Sequence, residues 1–309
     1  MDERLRRRAE RQAGVFTWGD ARACLQGEHD LRLALRRGEA IRVRRDAYVL
    51  AQAWQGTGPE EQLALATRAV LRTRPGDLAS HQSALALHGI SLWGLPVQTV
   101  QVTSAVTRSR RDPTLRIHRL REGIEPTEVE GVPCVAVAVA LVQVALSEST
   151  TAAVVSLDHA LKTRRCRIEQ VEAAGDRLAR GPLQRARLRA VIDASDAKCE
   201  SVGESRTRML LRELDLDLRS QVRISDRDGN FVGRVDFLVG DLLVIEFDGL
   251  VKYEGAEGKQ ALAREKAREE RLTGLGCIVI RLVWADLEHP ERVEARVQEA
   301  LRRLAARAA

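Results

Sequence analysis

The chain has 309 residues, of which 44% are hydrophobic, 30% charged and 3% aromatic, a composition typical of globular domains. Fifty lysines and arginines against 44 acids give a formal charge of +6, which excludes a histone-like protein and is compatible with a polyanionic partner. Five scattered cysteines argue against a disulfide framework or a zinc finger. The longest apolar run, 132–146, is too short to cross a bilayer. We expect a cytoplasmic protein without a membrane partner.

The first fifty residues predict helices followed by a basic β-ribbon. Thr17, with Asp20 three residues later, is a predicted helix N-cap, and Gly38 is the predicted end of the next helix. This segment holds 12 arginines against 8 acids. Helix, turn, helix and ribbon outline a winged helix-turn-helix over 1–52. Six arginines are candidate DNA contacts, with an ordinary solvated face as the alternative: Arg32, Arg36, Arg37, Arg42, Arg44 and Arg45.

Residues 53–146 predict an α/β segment, in which 132–146 begins as a strand and continues as a buried helix. Its histidines have no metal-ligand spacing and are interpreted as packing or capping residues. Residues 147–200 predict a basic helical connector broken at Gly181-Pro182. Residues 161–190 contain nine lysines and arginines but only three acids. This excess of positive charge favours either phosphate contacts or a solvated helix face. The last domain is expected over 201–309.

Two apolar strands with a turn at Gly240-Asp241 are predicted between Phe231 and Tyr253. Three carboxylates interrupt them: Asp236 in the first strand, and Glu246 and Asp248 in the second. Charges in such strands are costly unless they are paired or bind a metal, and neighbouring carboxylates repel each other. Hard oxygen ligands suit Mg²⁺ or Mn²⁺. This pattern predicts a metal site for phosphodiester hydrolysis.

The length of the turn decides whether the acids converge. A two-residue loop pairs Asp236 with Ile245 and sends Glu246 to the opposite face, whereas a three-residue loop that includes Leu242 pairs Asp236 with Glu246. A metal site therefore requires a three-residue turn or a bulge. The alternative is a half-exposed strand whose acids are neutralised by arginines, with three candidates: Arg234, Arg264 and Arg281.

The C-terminal region resembles the PD-(D/E)XK nuclease fold, and in particular proteins similar to very-short-patch repair endonucleases. The matching stretches are GESRTRMLLREL at 203–214, Gln221, GRVDF at 233–237, VIEFDGLVKY at 244–253, EKAREERL at 265–272 and CIVIRLVW at 277–284. The resemblance implies an α/β/α domain. It also implies that Glu204 is the helix acid and that Asp236 and Glu246 are metal ligands.

The sequence departs from that motif at one position. Asp248 stands where the motif has a catalytic lysine, and Lys252 is a candidate replacement. The candidate catalytic residues are thus Glu204, Asp236, Glu246, Asp248 and Lys252, with Asp236, Glu246 and Asp248 as metal ligands. Lys266 and Arg268 lie on the helix that the fold places beside its site, and are candidate contacts to the DNA backbone.

The stretches AGVFTWGDARACL…IRVRRDAYVL and SHQSALALHGI…VQVT…IHR resemble AbiEi-type antitoxins. That resemblance implies a DNA-binding repressor of a type IV toxin–antitoxin system, with a cognate toxin as partner. The sequence predicts an α+β, multi-domain protein and leaves two functions open. One is a DNA-binding, metal-dependent endonuclease. The other is a DNA-binding regulator or antitoxin whose nuclease fold is inactive.

Overall fold

The computed structural model describes residues 1–249 and 255–308, and side chains outside 255–263 and 308. Helices alternate with three separate sheets, which confirms a mixed α+β architecture. The chain divides into two compact units, Met1–Asp193 and Ala194–Ala309. The finer division into four segments stays a prediction.

The first unit begins with three helices and a three-stranded antiparallel sheet of order β1-β3-β2. Thr17 and Asp20 form the predicted capping box of α2, and Gly38 follows α3 with a φ of +67°. Phe16 stacks on Tyr48 at 5.2 Å in the core. The elements are α1 (Glu3–Glu10), β1 (Val15–Thr17), α2 (Trp18–Ala23), α3 (Glu28–Arg36), β2 (Ala40–Arg44) and β3 (Ala47–Leu50).

Asp20 is a buried carboxylate in this core. It accepts from Arg8 Nε at 2.6 Å and from the Thr17 N–H at 2.9 Å, and Arg72 lies 3.5 Å away. Burial raises the pKa of Asp20, but these donors outweigh burial and the pKa lies below its usual value. Asp20 is therefore a neutralised structural acid.

The rest of the first unit surrounds a six-stranded mixed sheet of order β6-β7-β5-β4-β9-β8. Residues 132–147 form a strand and then a buried helix, as predicted. The elements are α4 (Ala51–Trp54), α5 (Pro59–Leu71), β4 (Leu78–Ala79), α6 (His81–Leu87), β5 (Val100–Ser104), β6 (Arg110–Arg111), β7 (Leu115–Arg119), β8 (Pro126–Val129), β9 (Val132–Val135), α7 (Val137–Ser147), α8 (Thr150–Lys162), α9 (Ile168–Leu178) and α10 (Pro182–Ala194).

The second unit contains a four-stranded sheet of order β10-β11-β12-β13, antiparallel except for the parallel pair β12–β13. Leu211 of α11 and Val293 of α13 pack on one face, and Leu272 of α12 packs on the other. The sheet is thus covered by helices on both faces. The elements are α11 (Val202–Arg212), β10 (Leu218–Ser225), β11 (Phe231–Val239), β12 (Leu243–Phe247), α12 (Gly255–Gly274), β13 (Ile278–Leu282) and α13 (Pro290–Ala308), with a 3₁₀ turn at Asp286–Glu288.

A search of the described residues for a helix both long and apolar enough to traverse a membrane finds none.

Candidate functional site

The hairpin formed by β11 and β12 has the turn length that convergent carboxylates require. Phe237 pairs with Ile245 and Val239 pairs with Leu243, which leaves three residues, 240–242, in the turn. The same register, continued by one pair, places Asp236 opposite Glu246. Both acids lie on the sheet face that carries α12, together with Leu238 and Val244.

Glu204 is fixed at the N-terminus of α11, where Ser201 is the N-cap residue. Its N–H donates to Ser201 Oγ at 3.1 Å, and Ser201 Oγ donates back to Glu204 Oε1 at 2.9 Å. The Glu200 N–H donates to Glu204 Oε2 at 2.9 Å. A Cβ at Gly203 would lie 1.9 Å from the ring of Phe247, so only glycine permits α11 to approach β12 this closely.

Gln221 joins Glu204 to Asp236. Its Nε2 donates to Glu204 Oε2 at 2.8 Å and to Asp236 Oδ1 at 3.3 Å, while its Oε1 is buried without a hydrogen-bond partner in the described structure. Gln221 has a φ of +54°, a strained conformation for a residue within a strand. The other oxygen of Asp236 accepts from the Phe247 N–H at 2.9 Å. One amide thus separates two carboxylates from different elements.

Glu246 is held by arginine. Arg268 NH2 lies 2.7 Å and 2.8 Å from the two oxygens of Glu246 and also contacts Glu265. Arg281 lies 3.9 Å from Glu246 and pairs more closely with Glu265, at 2.6 Å. Arg268 was predicted to contact DNA, but its guanidinium is engaged by these acids. An arginine thus neutralises Glu246, as the sequence alternative required, but it is Arg268 and not one of the three arginines named for that role.

The three acids of the site are electrostatically disfavoured in their ionised form. Burial is the largest cause and raises the pKa of Glu204, Asp236 and Glu246. The charge of Asp236 further raises the pKa of both glutamates. Gln221 and Arg268 lower these values only in part. A cation placed among the acids would relieve this cost.

The donor set matches a hard divalent cation in chemistry. Glu204, Asp236 and Glu246 supply carboxylate oxygens, and Gln221 carries a buried, unpartnered Oε1 on the amide whose Nε2 contacts two of these acids. In the described residues, however, no group of three His, Cys, Asp or Glu side chains is arranged to hold a metal. Gln221 Nε2 donates to Glu204 and Asp236, and Arg268 donates to Glu246, so protein donors already engage these carboxylates.

The remaining candidates of the C-terminal unit that the structure describes form no side-chain hydrogen bond or ion pair with Glu204, Asp236 or Glu246. Asp248 follows the end of β12, is half-buried, and donates its N–H to the Leu282 carbonyl at 2.7 Å. Lys252 lies outside the described residues. Lys266 is exposed on α12. Arg234, an expected partner of the acids, pairs with Glu200 at 2.7 Å instead.

The N-terminal arginines do not form one uniform face. Arg44 makes a two-pronged ion pair with Asp112, at 2.8 Å on each side, and also donates to Thr114. Arg44 and Asp112 are 68 residues apart in sequence. Their ion pair neutralises the charge of Arg44, which was predicted to face phosphate. Arg32 pairs with Glu28 on the same helix. The remaining candidates are exposed: Arg36, Arg37, Arg42 and Arg45.

Sequence reasoning missed two features of the site. Gln221 was noted within the resemblance but given no role, because nothing in the pattern shows that its amide would bridge two acids. The anchoring of Glu204 by Ser201 was also missed, although Ser-x-x-Glu at the start of an apolar helix is the signature of a capping box.

No protein-family profile matches the sequence. Two proteins of Mycobacterium tuberculosis are similar to it: uncharacterized protein MT2308 of strain CDC 1551 / Oshkosh and uncharacterized protein Rv2248 of strain ATCC 25618 / H37Rv. Each is 28% identical over 233 residues, which cover 73% of this chain and 83% of the relative. Neither compact unit is as long as this match. The similarity therefore extends across residues of both units.

Proposed function

We propose that the protein binds DNA and that its C-terminal unit hydrolyses phosphodiester bonds with a divalent metal ion. One observation carries the proposal: the three-residue turn puts Asp236 and Glu246 on the same face of the sheet, beside the strained Gln221 that links Asp236 to Glu204. Buried acids with raised pKa values that share one place are typical of functional sites. The resemblance to PD-(D/E)XK nucleases assigns the same three acids to metal-dependent cleavage.

In this proposal Asp236 and Glu246 hold the ion, either Mg²⁺ or Mn²⁺. When bound, the ion supplies Lewis-acid stabilisation of the attacked phosphate and makes water a better nucleophile. Gln221 fixes the separation of Glu204 and Asp236. The Phe247 N–H orients Asp236, and Arg268 aims Glu246 and offsets part of its desolvation. The winged-helix segment supplies affinity for the duplex through its exposed arginines.

The test is nicking of supercoiled plasmid by the full chain in Mg²⁺ or Mn²⁺. We expect Asp236→Asn to lower the nicking rate at least roughly a hundredfold, as loss of a metal-site partner does. Asp241→Asn is the matched control, because Asp241 belongs to the same hairpin but is exposed at its turn. If wild type fails to nick in either metal, or if Asp236→Asn nicks as fast as wild type, the proposal is wrong.

A second function is favoured by the engagement of Glu246 with Arg268 and by Asp248 at the motif's lysine position. In it the protein is a DNA-binding repressor or antitoxin, with a toxin as partner, and the nuclease fold is a scaffold. This function predicts salt-dependent binding to a specific duplex without cleavage. Footprinting on the DNA upstream of its own gene, run beside the nicking assay in Mg²⁺ with wild type and Asp236→Asn, separates the two functions: a repressor protects defined bases and cuts in neither form, whereas the nuclease cuts as wild type and not as Asp236→Asn.

A further inference from the structure

A cleft of about 610 Å³ opens in the first unit, beside β7 of the six-stranded sheet. It is formed by β7, the start of α6 and the segment around α9 and α10. Its volume lies within the range of roughly 300–1,000 Å³ that small-molecule sites occupy. None of the N-terminal arginines or C-terminal acids discussed above lines this cleft, although Arg180 belongs to the basic segment 161–190.

The cleft is strongly basic. Four arginines line it against a single acid, Glu122: Arg116, Arg119, Arg121 and Arg180. In the described part of the chain, none of the four makes an ion pair with a carboxylate. Arg121 donates to the Leu178 carbonyl at 2.6 Å, which fixes one guanidinium at the rim. The positive charge of the cleft therefore exceeds the single negative charge of Glu122 and is not ion-paired within the described residues.

Two stacked histidines form its floor. The rings of His81 and His118 lie 3.8 Å apart, and His81 is only 7% exposed. His81 Nδ1 lies 3.1 Å from Ser80 Oγ, and His118 Nε2 lies 2.7 Å from Gln101 Oε1. The other nitrogen of each ring has no hydrogen-bond partner among the described residues. Each histidine thus keeps one ring nitrogen for a ligand.

The backbone at His81 is also unusual. Its φ is +52°, the left-handed region that bulky residues rarely adopt, and its N–H donates to Gln143 Oε1 at 2.9 Å. Such strain costs free energy and concentrates at ligand sites. Burial lowers the pKa of His81, and it lowers that of His118 to about 4, with Arg116 adding to both shifts. At neutral pH the arginines alone supply the charge.

We propose that this cleft binds a phosphate monoester of nucleotide size, presented by a free nucleotide or by the phosphorylated end of a nucleic-acid strand. A guanidinium group contacts phosphate oxygens through paired N–H donors, and four arginines line this cleft. The cleft is much larger than phosphate alone, which leaves room for a sugar and base. The free ring nitrogens of His81 and His118 supply polar contacts at its floor.

The test is a binding titration of the full chain by calorimetry, with AMP, inorganic phosphate, and a single-stranded oligonucleotide that carries a 5′-phosphate or a 5′-hydroxyl. Two variants are tested: the double variant Arg116→Gln/Arg121→Gln, and the single variant Arg180→Gln at an exposed position of the cleft. Arg164→Gln is the control, because it removes one exposed arginine of the same unit outside the cleft. We expect the double variant to weaken binding at least about tenfold and the control to leave it unchanged.

Binding of AMP that is lost in the double variant supports the proposal with a free nucleotide as ligand. Preference for the 5′-phosphorylated oligonucleotide over its hydroxyl form, again lost in the double variant, supports it with a strand end as ligand. Absence of binding by wild type to every probe at millimolar concentration overturns it. Equal affinity of wild type, the double variant and Arg180→Gln also overturns it.

Discussion

Each of the two compact units contains buried acid, and the two environments are opposite. Asp20 in the first unit is surrounded by donors, and its pKa is lowered. Asp236 in the second unit faces Glu204 across a neutral amide, and the pKa values of both are raised. Carboxylates of the two units therefore have pKa values that are shifted in opposite directions.

The difference separates structural acids from acids kept for another purpose. A buried carboxylate that is fully paired contributes to stability, whereas one left under-neutralised costs free energy in the folded chain. Stability is commonly lost at functional positions. We interpret Asp20 as part of the framework of its unit, and the cluster around Asp236 as the under-neutralised acids at which we propose that a cation binds.

The largest effect is expected at the packing that positions this cluster. Gly203→Ala would place a methyl group against the ring of Phe247 and displace the N-terminus of α11, which carries Glu204. Overpacking of this kind costs about 3 kcal/mol in the free energy of unfolding. Gly274→Ala is the control, because it also adds a methyl group in a helix, but with no atom nearby. Chemical denaturation measures both, and equal stability of the two variants would refute this account.

A matched pair of substitutions tests the comparison directly. Asp20→Asn removes the charge that Arg8 and Arg72 contact, and we expect a loss of about 2 kcal/mol. Asp236→Asn relieves repulsion with Glu204, and we expect no loss, or a gain of up to about 1 kcal/mol. Hydrogen exchange followed by mass spectrometry assigns each change to its own unit. A loss at Asp236 as large as that at Asp20 would show that both acids are structural.

The smallest effect is a difference in pH dependence. As pH falls from 7, the folded second unit takes up protons at Glu204, Asp236 and Glu246 before the unfolded chain does, because their folded pKa values are raised. Its stability therefore increases until the ordinary values of 3.8 and 4.5 are reached. The contribution of Asp20 is fully present above 3.8 and is lost only below it.

The stability of the first unit should instead decrease as pH falls over part of this range. His118 has a folded pKa of about 4 against an ordinary value of 6.5, so the unfolded chain binds its proton first and stability falls as pH drops through that window. Hydrogen exchange at pH 7, 6 and 5, at constant ionic strength, reports both units in one sample. A second unit that loses stability between pH 7 and 5 would contradict the raised pKa values of its acids.

Features set by neighbouring residues could be predicted from the sequence. The capping box of Thr17 and Asp20 needs only a spacing of three. The strand-to-helix change after residue 132 follows from composition. The alternation of side chains along a strand predicted that Asp236 and Glu246 share a face only if the turn has three residues. The sequence alone did not decide between a turn of two and a turn of three residues.

Features that depend on distant partners could not be predicted. Arg268 lies 22 residues from Glu246, and Arg44 lies 68 residues from Asp112, and any of the 50 basic residues was an equally suitable partner. Stacking of His81 on His118 depends on the pairing of β7 with β5, which periodicity does not encode. Charge patterns specify that an acid needs a partner, but topology selects which one.

The odd number of residues in the β11–β12 turn has a consequence for evolution. Side chains alternate between the faces of a strand, so an insertion or deletion of one residue among 240–242 would exchange the two faces of β12. Glu246 would then point into the layer now filled by Leu243 and Ile245. Asp241 is almost fully exposed, so substitutions there cost little in the free energy of unfolding. An insertion or deletion at the same surface position would instead destabilise the fold as much as a polar residue placed in the interior. Related sequences should therefore vary freely in the residue types at 240–242 and hardly at all in the number of residues in this turn.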